Sequence, residues 1–157
     1  MQREIRFFSI GKQPITKTKS IIQKLCDKKG WDVGFMELDS DNTITGQINQ
    51  SESNRYSSDY LTLLIRDEEY SQSWSSGDNL KAYHIDLCYY ILEIEVFYKW
   101  SFLLDFSISL LENCPNIRVE SLDENEKTFF EEFTLQHLYQ VKKLGYEDNW
   151  KQVKLLR

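Results

Sequence analysis

The stretch LKAYHIDLCYYILEIEVFYKWSFLLDFSISLLENCP, residues 80–115, decides the fold of this chain. Every second residue from Tyr90 to Tyr98 is apolar or aromatic, and Glu93 and Glu95 occupy positions between these residues. A period of two places alternate residues on opposite faces of a β-strand, so the pattern predicts a central strand over residues 82–98. The alternation changes phase on the way. This change indicates a bulge near residues 89–90, or two strands in place of one.

A helix is predicted directly after this strand. Beyond Trp100 the apolar residues fall at helical spacing, at Phe102, Leu103, Phe106, Leu110 and Leu111. Because the residue before a proline avoids the helical region, the helix should end before Pro115. The sequence therefore predicts a helix over residues 100–113, and a core built from one strand and one buried helix.

The remaining elements follow from periodicity, turn residues and caps. Further strands are predicted over residues 4–10, 31–38, 43–48 and 60–66, and further helices over residues 14–29 and 122–144. Asp39–Asn42 carries the turn chemistry of a hairpin. Ser121 and Glu124 have the spacing of a capping box at the start of the helix over 122–144, with His137 on its inward side as a hydrogen-bonded core residue.

The last stretch of the chain reads as a short helix with Trp150, Val153 and Leu155 or Leu156 packed inward. Together the elements predict one α+β domain over residues 1–157. Its mostly antiparallel sheet should have about five or six strands, with three to four helices on one or both faces.

Charge is divided unevenly along the 157 residues. Residues 1–30 carry eight basic and two acidic side chains, whereas residues 32–126 carry nineteen acidic and five basic ones. An acidic body repels nucleic acid and attracts basic partners by long-range steering. It also keeps ordinary proteins soluble, and this alternative stays open. We interpret the lysines of the first helix as a solvated surface, because no arginine or aromatic residue interleaves them.

The sequence predicts a cytoplasmic protein that does not cross a membrane. No stretch approaches the ~18 apolar residues that a membrane span needs, and the N-terminus MQREIRFF lacks the apolar block of a signal peptide. The three cysteines, Cys26, Cys88 and Cys114, have unrelated spacings. An odd number of unpatterned cysteines is typical of a reduced compartment.

Two groups of residues are candidates for a site of catalysis. His84, Asp86 and Cys88 would share one strand face, but His84 and Cys88 would then be about 13 Å apart, too far for direct activation. Glu93 and Glu95 resemble the acidic strand of PD-(D/E)xK nucleases. That family places its lysine two residues after the carboxylate, whereas Lys99 is four residues after Glu95. We therefore expect no catalytic residue, metal or cofactor.

Two other classes of function stay open. One is a small hydrolase or nuclease with a site assembled from His84, Asp86, Glu93 and Glu95. The other is an intracellular adaptor subunit, whose sequence would carry no diagnostic motif.

The whole chain resembles a class of bacterial inhibitor proteins. It is small, acidic and rich in aromatic residues, and it has polar loops over residues 49–59 and 71–79 and no catalytic motif. In these respects it resembles the immunity proteins that bacteria carry beside polymorphic or contact-dependent growth-inhibition toxins. The resemblance implies a protein that binds one cognate toxin domain, often a nuclease with a basic cleft, and covers its active site. The residues expected to face the toxin are the carboxylates of Asp67, Glu68, Glu69, Glu93 and Glu95 and the rings of Tyr70 and Trp74.

Overall fold

A computed structural model describes residues 5–10, 15–38, 43–49, 60–66, 85–91, 100–122, 130–147 and 149–155. The strands are β1 (Ile5–Ile10), β2 (Asp32–Leu38), β3 (Thr43–Asn49), β4 (Tyr60–Arg66), β5 (Ile85–Ile91), β6 (Ile117–Leu122) and β7 (Phe130–Phe133). The helices are α1 (Ile15–Lys29), α2 (Trp100–Asn113) and α3 (Leu135–Leu144), followed by a 3-10 helix at Trp150–Leu155.

The described strands form a sheet in the order β2-β3-β4-β5-β1-β6-β7, and each neighbouring pair is antiparallel. The predicted fold class, α+β with antiparallel strands, is confirmed. β1 lies between β5 and β6, so the N-terminal strand joins the two parts of the sheet. The described part of the chain holds seven strands against the predicted five or six, partly because β7 forms where a helix was expected.

The sheet has an inner face that carries the core. Alternation along the strands directs one set of apolar side chains to this face, and cross-strand register aligns them from strand to strand. The buried members are Ile5, Phe7, Ile44, Ile48, Leu61, Leu63, Ile65, Ile117, Val119 and Phe133. The described helices all pack on this side: α1 lies over β2, β3 and β4, and α2 lies against β6, α1 and α3.

α2 is the centre of the core, as its sequence predicts. Every residue from Phe102 to Leu111 is buried except Asp105. The Phe106 ring meets Phe7 of β1 edge-to-face at 6.0 Å between centroids, and Phe102 meets Trp31 at 5.1 Å. A helix that is apolar on nearly all sides must be enclosed, and here the sheet, α1 and α3 enclose it.

The predicted helix over residues 122–144 is wrong in its first part. Ser121 and Leu122 belong to β6, Phe130–Phe133 is strand β7, and α3 begins only at Leu135. The capping box is made by Thr134 and His137 rather than by Ser121 and Glu124. The reason is non-local: Phe133 pairs with Val119 across the sheet and packs against the Trp150 ring at 5.7 Å.

Two smaller predictions also need correction. The register between β1 and β5 shifts between Phe8, which pairs with Cys88, and Ile10, which pairs with Ile85. The irregularity is therefore at the start of β5 and not at residues 89–90; residues 82–84 and 92–98 lie outside the described part. In the 3-10 helix, Trp150 and Val153 are buried as predicted; Leu155 is 67% exposed, and its predicted alternative Leu156 lies outside the described residues.

The other predicted elements agree with the structure to within one residue at each end, as for β4 at 60–66 and α2 at 100–113. Leu38 pairs with Thr43, which supports the predicted hairpin between β2 and β3, although residues 39–42 themselves are outside the description. Within the described ranges, no helix is both long and apolar enough to span a bilayer.

Candidate partner-binding surface

The seven residues expected to contact a toxin all lie outside the described ranges. These are Asp67, Glu68, Glu69, Tyr70, Trp74, Glu93 and Glu95. Of the alternative enzyme site, His84 is also outside, and Asp86 is placed only as a backbone position in β5. The structure does define β4 and β5, the strands that these segments follow in the sequence.

Three neighbouring strand ends lie side by side at one corner of the sheet. Leu38 of β2 pairs with Thr43 of β3, and Thr43 pairs in turn with Arg66 of β4. Neighbouring strands are about 4.8 Å apart, so the three ends span about 10 Å. We call these three residues and the sequence directly attached to them, residues 39–42 and 67–69, the acidic corner.

The acidic corner takes its charge from residues covalently next to those strand ends. Asp39 and Asp41 stand between Leu38 and Thr43 in the sequence, and Asp67, Glu68 and Glu69 directly follow Arg66. Five carboxylates therefore lie within three residues of a strand end, against the single basic residue Arg66.

Glu93 and Glu95 continue from a different place in the sheet. β5 ends at Ile91, which pairs with Leu63 of β4 and Ile5 of β1, whereas Arg66 at the other end of β4 pairs with Cys88. Arg66, which precedes Asp67–Glu69, and Ile91, which precedes Glu93 and Glu95, are therefore at opposite ends of the antiparallel β4–β5 pair. That all five predicted carboxylates serve one surface stays a prediction.

The outer face of the sheet, opposite the helices, is uncharged over a patch of β2, β3 and β4. We call this set, Gly34, Met36, Thr45, Gln47 and Thr62, the outer patch. Gly34, Gln47 and Thr62 are aligned across the three strands, and Met36 is opposite Thr45. Gly34 and Gln47 are exposed and the two threonines are half-buried, whereas Met36 is 64% exposed. The Thr45 hydroxyl donates to the Met36 carbonyl at 3.3 Å.

The outer face has a different character at β6 and β7. Glu120 is only 3% exposed there, and it lies in register between Arg6 and Glu132. Arg118 Nε is 3.7 Å from Glu132 Oε1, and burial raises the pKa of Glu132 while nearby Lys154 lowers it. Arg118 and Glu132 in this half are close enough to pair with each other, so these two charges are less free to recruit a charged partner.

The carboxylates of Asp105 and Glu112 in α2 also contact side chains of α3. Lys142 Nζ of α3 is 2.9 Å from Asp105 Oδ1, and the Tyr139 hydroxyl donates to Glu112 Oε2 at 3.0 Å. The latter hydrogen bond is the main reason that the pKa of Tyr139 is raised. These contacts tie α3 to the outer edge of α2 and add no concentrated charge to the surface.

The lysines of α1 form a separate basic surface. Lys17, Lys24 and Lys28 are exposed and share one side of the helix, since they are spaced by seven and four residues. Lys19 instead lies over the Phe35 ring of β2, with its Nζ 5.6 Å from the centroid. This arrangement agrees with the interpretation of a solvated helix face, and it supplies control positions for charge reversal.

His137 has a structural task in the first turn of α3. The backbone N–H of Thr134 donates to His137 Nδ1 at 3.1 Å, and the backbone N–H of His137 donates to Thr134 Oγ1 at 3.2 Å. Because Nδ1 accepts, the neutral ring carries its proton on Nε2. Burial lowers the pKa of His137, Lys154 lowers it further, and Glu131 opposes them. The predicted hydrogen bonding is confirmed, but the ring caps a helix at half-buried depth.

The described residues do not assemble a metal site. Among them there is no cluster of three or more His, Cys, Asp or Glu side chains able to hold a metal ion. Cys26 and Cys114 are buried cysteines that are not disulfide-bonded, and burial raises the pKa of Cys26 to about 12. A thiol with such a pKa stays protonated and is a poor nucleophile.

The outer patch could not be predicted from the sequence. The alternation in WDVGFMEL showed a strand, but it could not show which of its two sets would be covered by α1. No protein-family model, curated protein or solved structure matches this chain.

Proposed function

We propose that this chain is an immunity-type inhibitor, which binds a cognate toxin domain in the bacterial cytoplasm and blocks its active site. The toxin would be a nuclease with a basic substrate cleft. The observation that carries the proposal is the acidic corner, in which five carboxylates are next in the sequence to three adjoining strand ends. It lies within the stretch from Asp32 to Glu126, in which nineteen acidic residues face five basic ones.

The physical argument is charge complementarity. A nuclease must attract phosphates, so its cleft is positively charged, and an inhibitor that covers this cleft gains from negative charge. Opposite potentials also steer the encounter and raise the association rate constant above the 10⁵–10⁶ M⁻¹s⁻¹ of an unsteered pair by about 10–10³-fold. Rapid capture suits an inhibitor that must act before its toxin cuts nucleic acid.

The test uses the protein encoded immediately upstream, made once in active form and once in an inactivated form. The active form alone should stop growth of the host, and co-expression of this chain should restore it. Titration calorimetry with the inactivated form should show a stable complex. Its association rate should fall as salt rises past ~0.15 M, where the Debye length is ~8 Å.

Charge reversal separates the acidic corner from other surfaces. Replacing Asp67 and Glu68 by lysine should weaken binding, whereas replacing Lys17 and Lys24 by glutamate, the matched reversal on α1, should leave it nearly unchanged. The opposite result would place the functional surface on α1. If the purified chain alone hydrolyses nucleic acid and loses that activity on His84→Ala, the protein is an enzyme and the proposal is wrong.

A further inference from the structure

We infer that His137 is a pH-sensitive switch at the start of α3. When its ring takes up a proton, the cap at Thr134 is released and the first helical turn opens, while the later turns stay in place. This switch goes beyond the proposed function, because it lies within residues 134–138 and involves no partner. It depends on which ring atom accepts a hydrogen bond, and on what holds the chain on either side.

The cap requires an unprotonated Nδ1 on the ring. The backbone N–H of Thr134 donates to His137 Nδ1 at 3.1 Å, and this nitrogen is the one acceptor of a neutral imidazole that carries its proton on Nε2. Protonation makes Nδ1 a donor, so the Thr134 N–H then faces another N–H. The protonated Nδ1 can donate to Thr134 Oγ1, also 3.1 Å away, but the Thr134 N–H is still left without an acceptor. A glutamine, which is common at this position of a capping box, accepts at any pH.

The surroundings of the ring also disfavour a positive charge. His137 is the third residue of α3, where the positive end of the helix dipole lies. Among the described residues, the charged groups that act on the ring come from two other elements: Lys154 of the 3-10 helix lowers the pKa of His137, and Glu131 of β7 raises it. Burial, the largest effect, lowers this pKa. Asp105 and Glu112 of α2 contact later residues of α3 instead. A protonated ring is therefore stabilised when it leaves this position for solvent.

Two buried residues confine the opening to one turn. Phe133, directly before the cap, is 2% exposed and packs against the Trp150 ring, and Leu138, directly after His137, is fully buried. The segment between them, Thr134–His137, contains only exposed and half-buried residues. Opening of this segment therefore exposes no fully buried side chain. Such local opening takes less free energy than unfolding of the whole domain.

Amide hydrogen exchange, measured by NMR between about pH 5 and 7, tests the switch in the full chain. Exchange rates are expressed as protection relative to an unstructured peptide at the same pH. We expect protection of the Thr134 N–H to fall by about fivefold as His137 takes up its proton, which corresponds to the loss of a typical helix cap. Protection of the Lys142 N–H, beyond the buried Leu138, should change by less than about twofold.

Neutralising either charged neighbour of the ring should move the transition in opposite directions. Lys154→Gln removes the charge that lowers the pKa of His137, so the change at Thr134 should occur at higher pH. Glu131→Gln removes the group that raises this pKa, so the change should occur at lower pH. His137→Gln keeps an acceptor and should make the protection of Thr134 independent of pH. A purely structural role of the ring would not produce these opposite shifts.

Three results would overturn the inference. The first is a neutral ring that carries its proton on Nδ1, as read from its ¹⁵N chemical shifts, because such a ring cannot accept from Thr134. The second is titration of the ring with no change in protection at Thr134. The third is a simultaneous loss of protection throughout α3 and β7, which would mean that acid unfolds the domain as a whole. If His137→Gln does not fold, the wild type and the two neighbouring variants still decide the outcome.

Discussion

Replacing Gly46 by alanine tests whether the inner face of the sheet is filled while the outer face is open. Gly46 lies in register between Phe35 of β2 and Leu63 of β4 on the inner face. A Cβ at this position would approach Phe35 Cδ1 to 3.0 Å, Phe35 Cε1 to 3.1 Å and Leu63 Cδ1 to 3.2 Å. Ordinary carbon contacts begin near 3.5 Å, so Gly46→Ala requires both neighbours to move.

The expected magnitude follows from two opposing effects. Overpacking a filled site destabilises by about 1–3 kcal/mol. Replacing glycine by alanine restricts the unfolded chain and returns about 0.4–1 kcal/mol. Leu63 is 3% exposed and has little room, but Phe35 is half-buried and can shift outward. We therefore expect a net loss of about 1–2 kcal/mol, which corresponds to roughly 2–8 °C in Tm for a chain of this length.

Urea unfolding followed by far-ultraviolet circular dichroism measures the loss. Gly34→Ala is the matched control, since Gly34 is in the neighbouring strand with nothing within 4 Å of its built Cβ. It should leave stability unchanged or slightly raised. If Gly46→Ala is as stable as the wild type, or if Gly34→Ala loses as much, the assignment of inner and outer faces is wrong.

Two further predictions concern titrating groups. The pKa of His137 is lowered from its ordinary 6.5, so the folded protein favours the neutral ring; its contribution to stability is complete above 6.5 and is lost as pH falls through the lowered value. Urea midpoints should therefore rise as pH approaches 6.5 from below, more steeply in the wild type than in His137→Gln, which keeps a capping acceptor but does not titrate; equal slopes would contradict this. Cys26, whose pKa is raised to about 12, should resist iodoacetamide at pH 8 in the folded protein and react in urea, as mapped by mass spectrometry; modification of the folded protein would contradict its burial.

The candidate site was only partly predictable. The excess of carboxylates is a property of the sequence, and so is the tendency to attract a basic partner. That the strand ends next to Asp39, Asp41 and Asp67 in the sequence lie side by side is not, because it depends on the pairing of Leu38, Thr43 and Arg66 across three strands. The exposure of Met36 likewise depends on α1 covering the opposite face.

What the sequence determined by itself was local. The helix at Trp100–Asn113 and the strand at Tyr60–Arg66 were predicted with the bounds observed, because helical spacing, period-two alternation and the proline that stops a helix act within a few residues. The uneven distribution of acidic and basic residues along the chain is also a property of the sequence alone.

Only the tertiary structure decided between strand and helix at Phe130–Phe133. Phe130 and Phe133 are three residues apart, a spacing that fits a helical stripe, but burial of Phe133 between Val119 and Trp150 selected the strand. Tertiary pairing also set the position of β1 between β5 and β6. These features depend on contacts between residues far apart in the chain, whose free energy no local pattern contains.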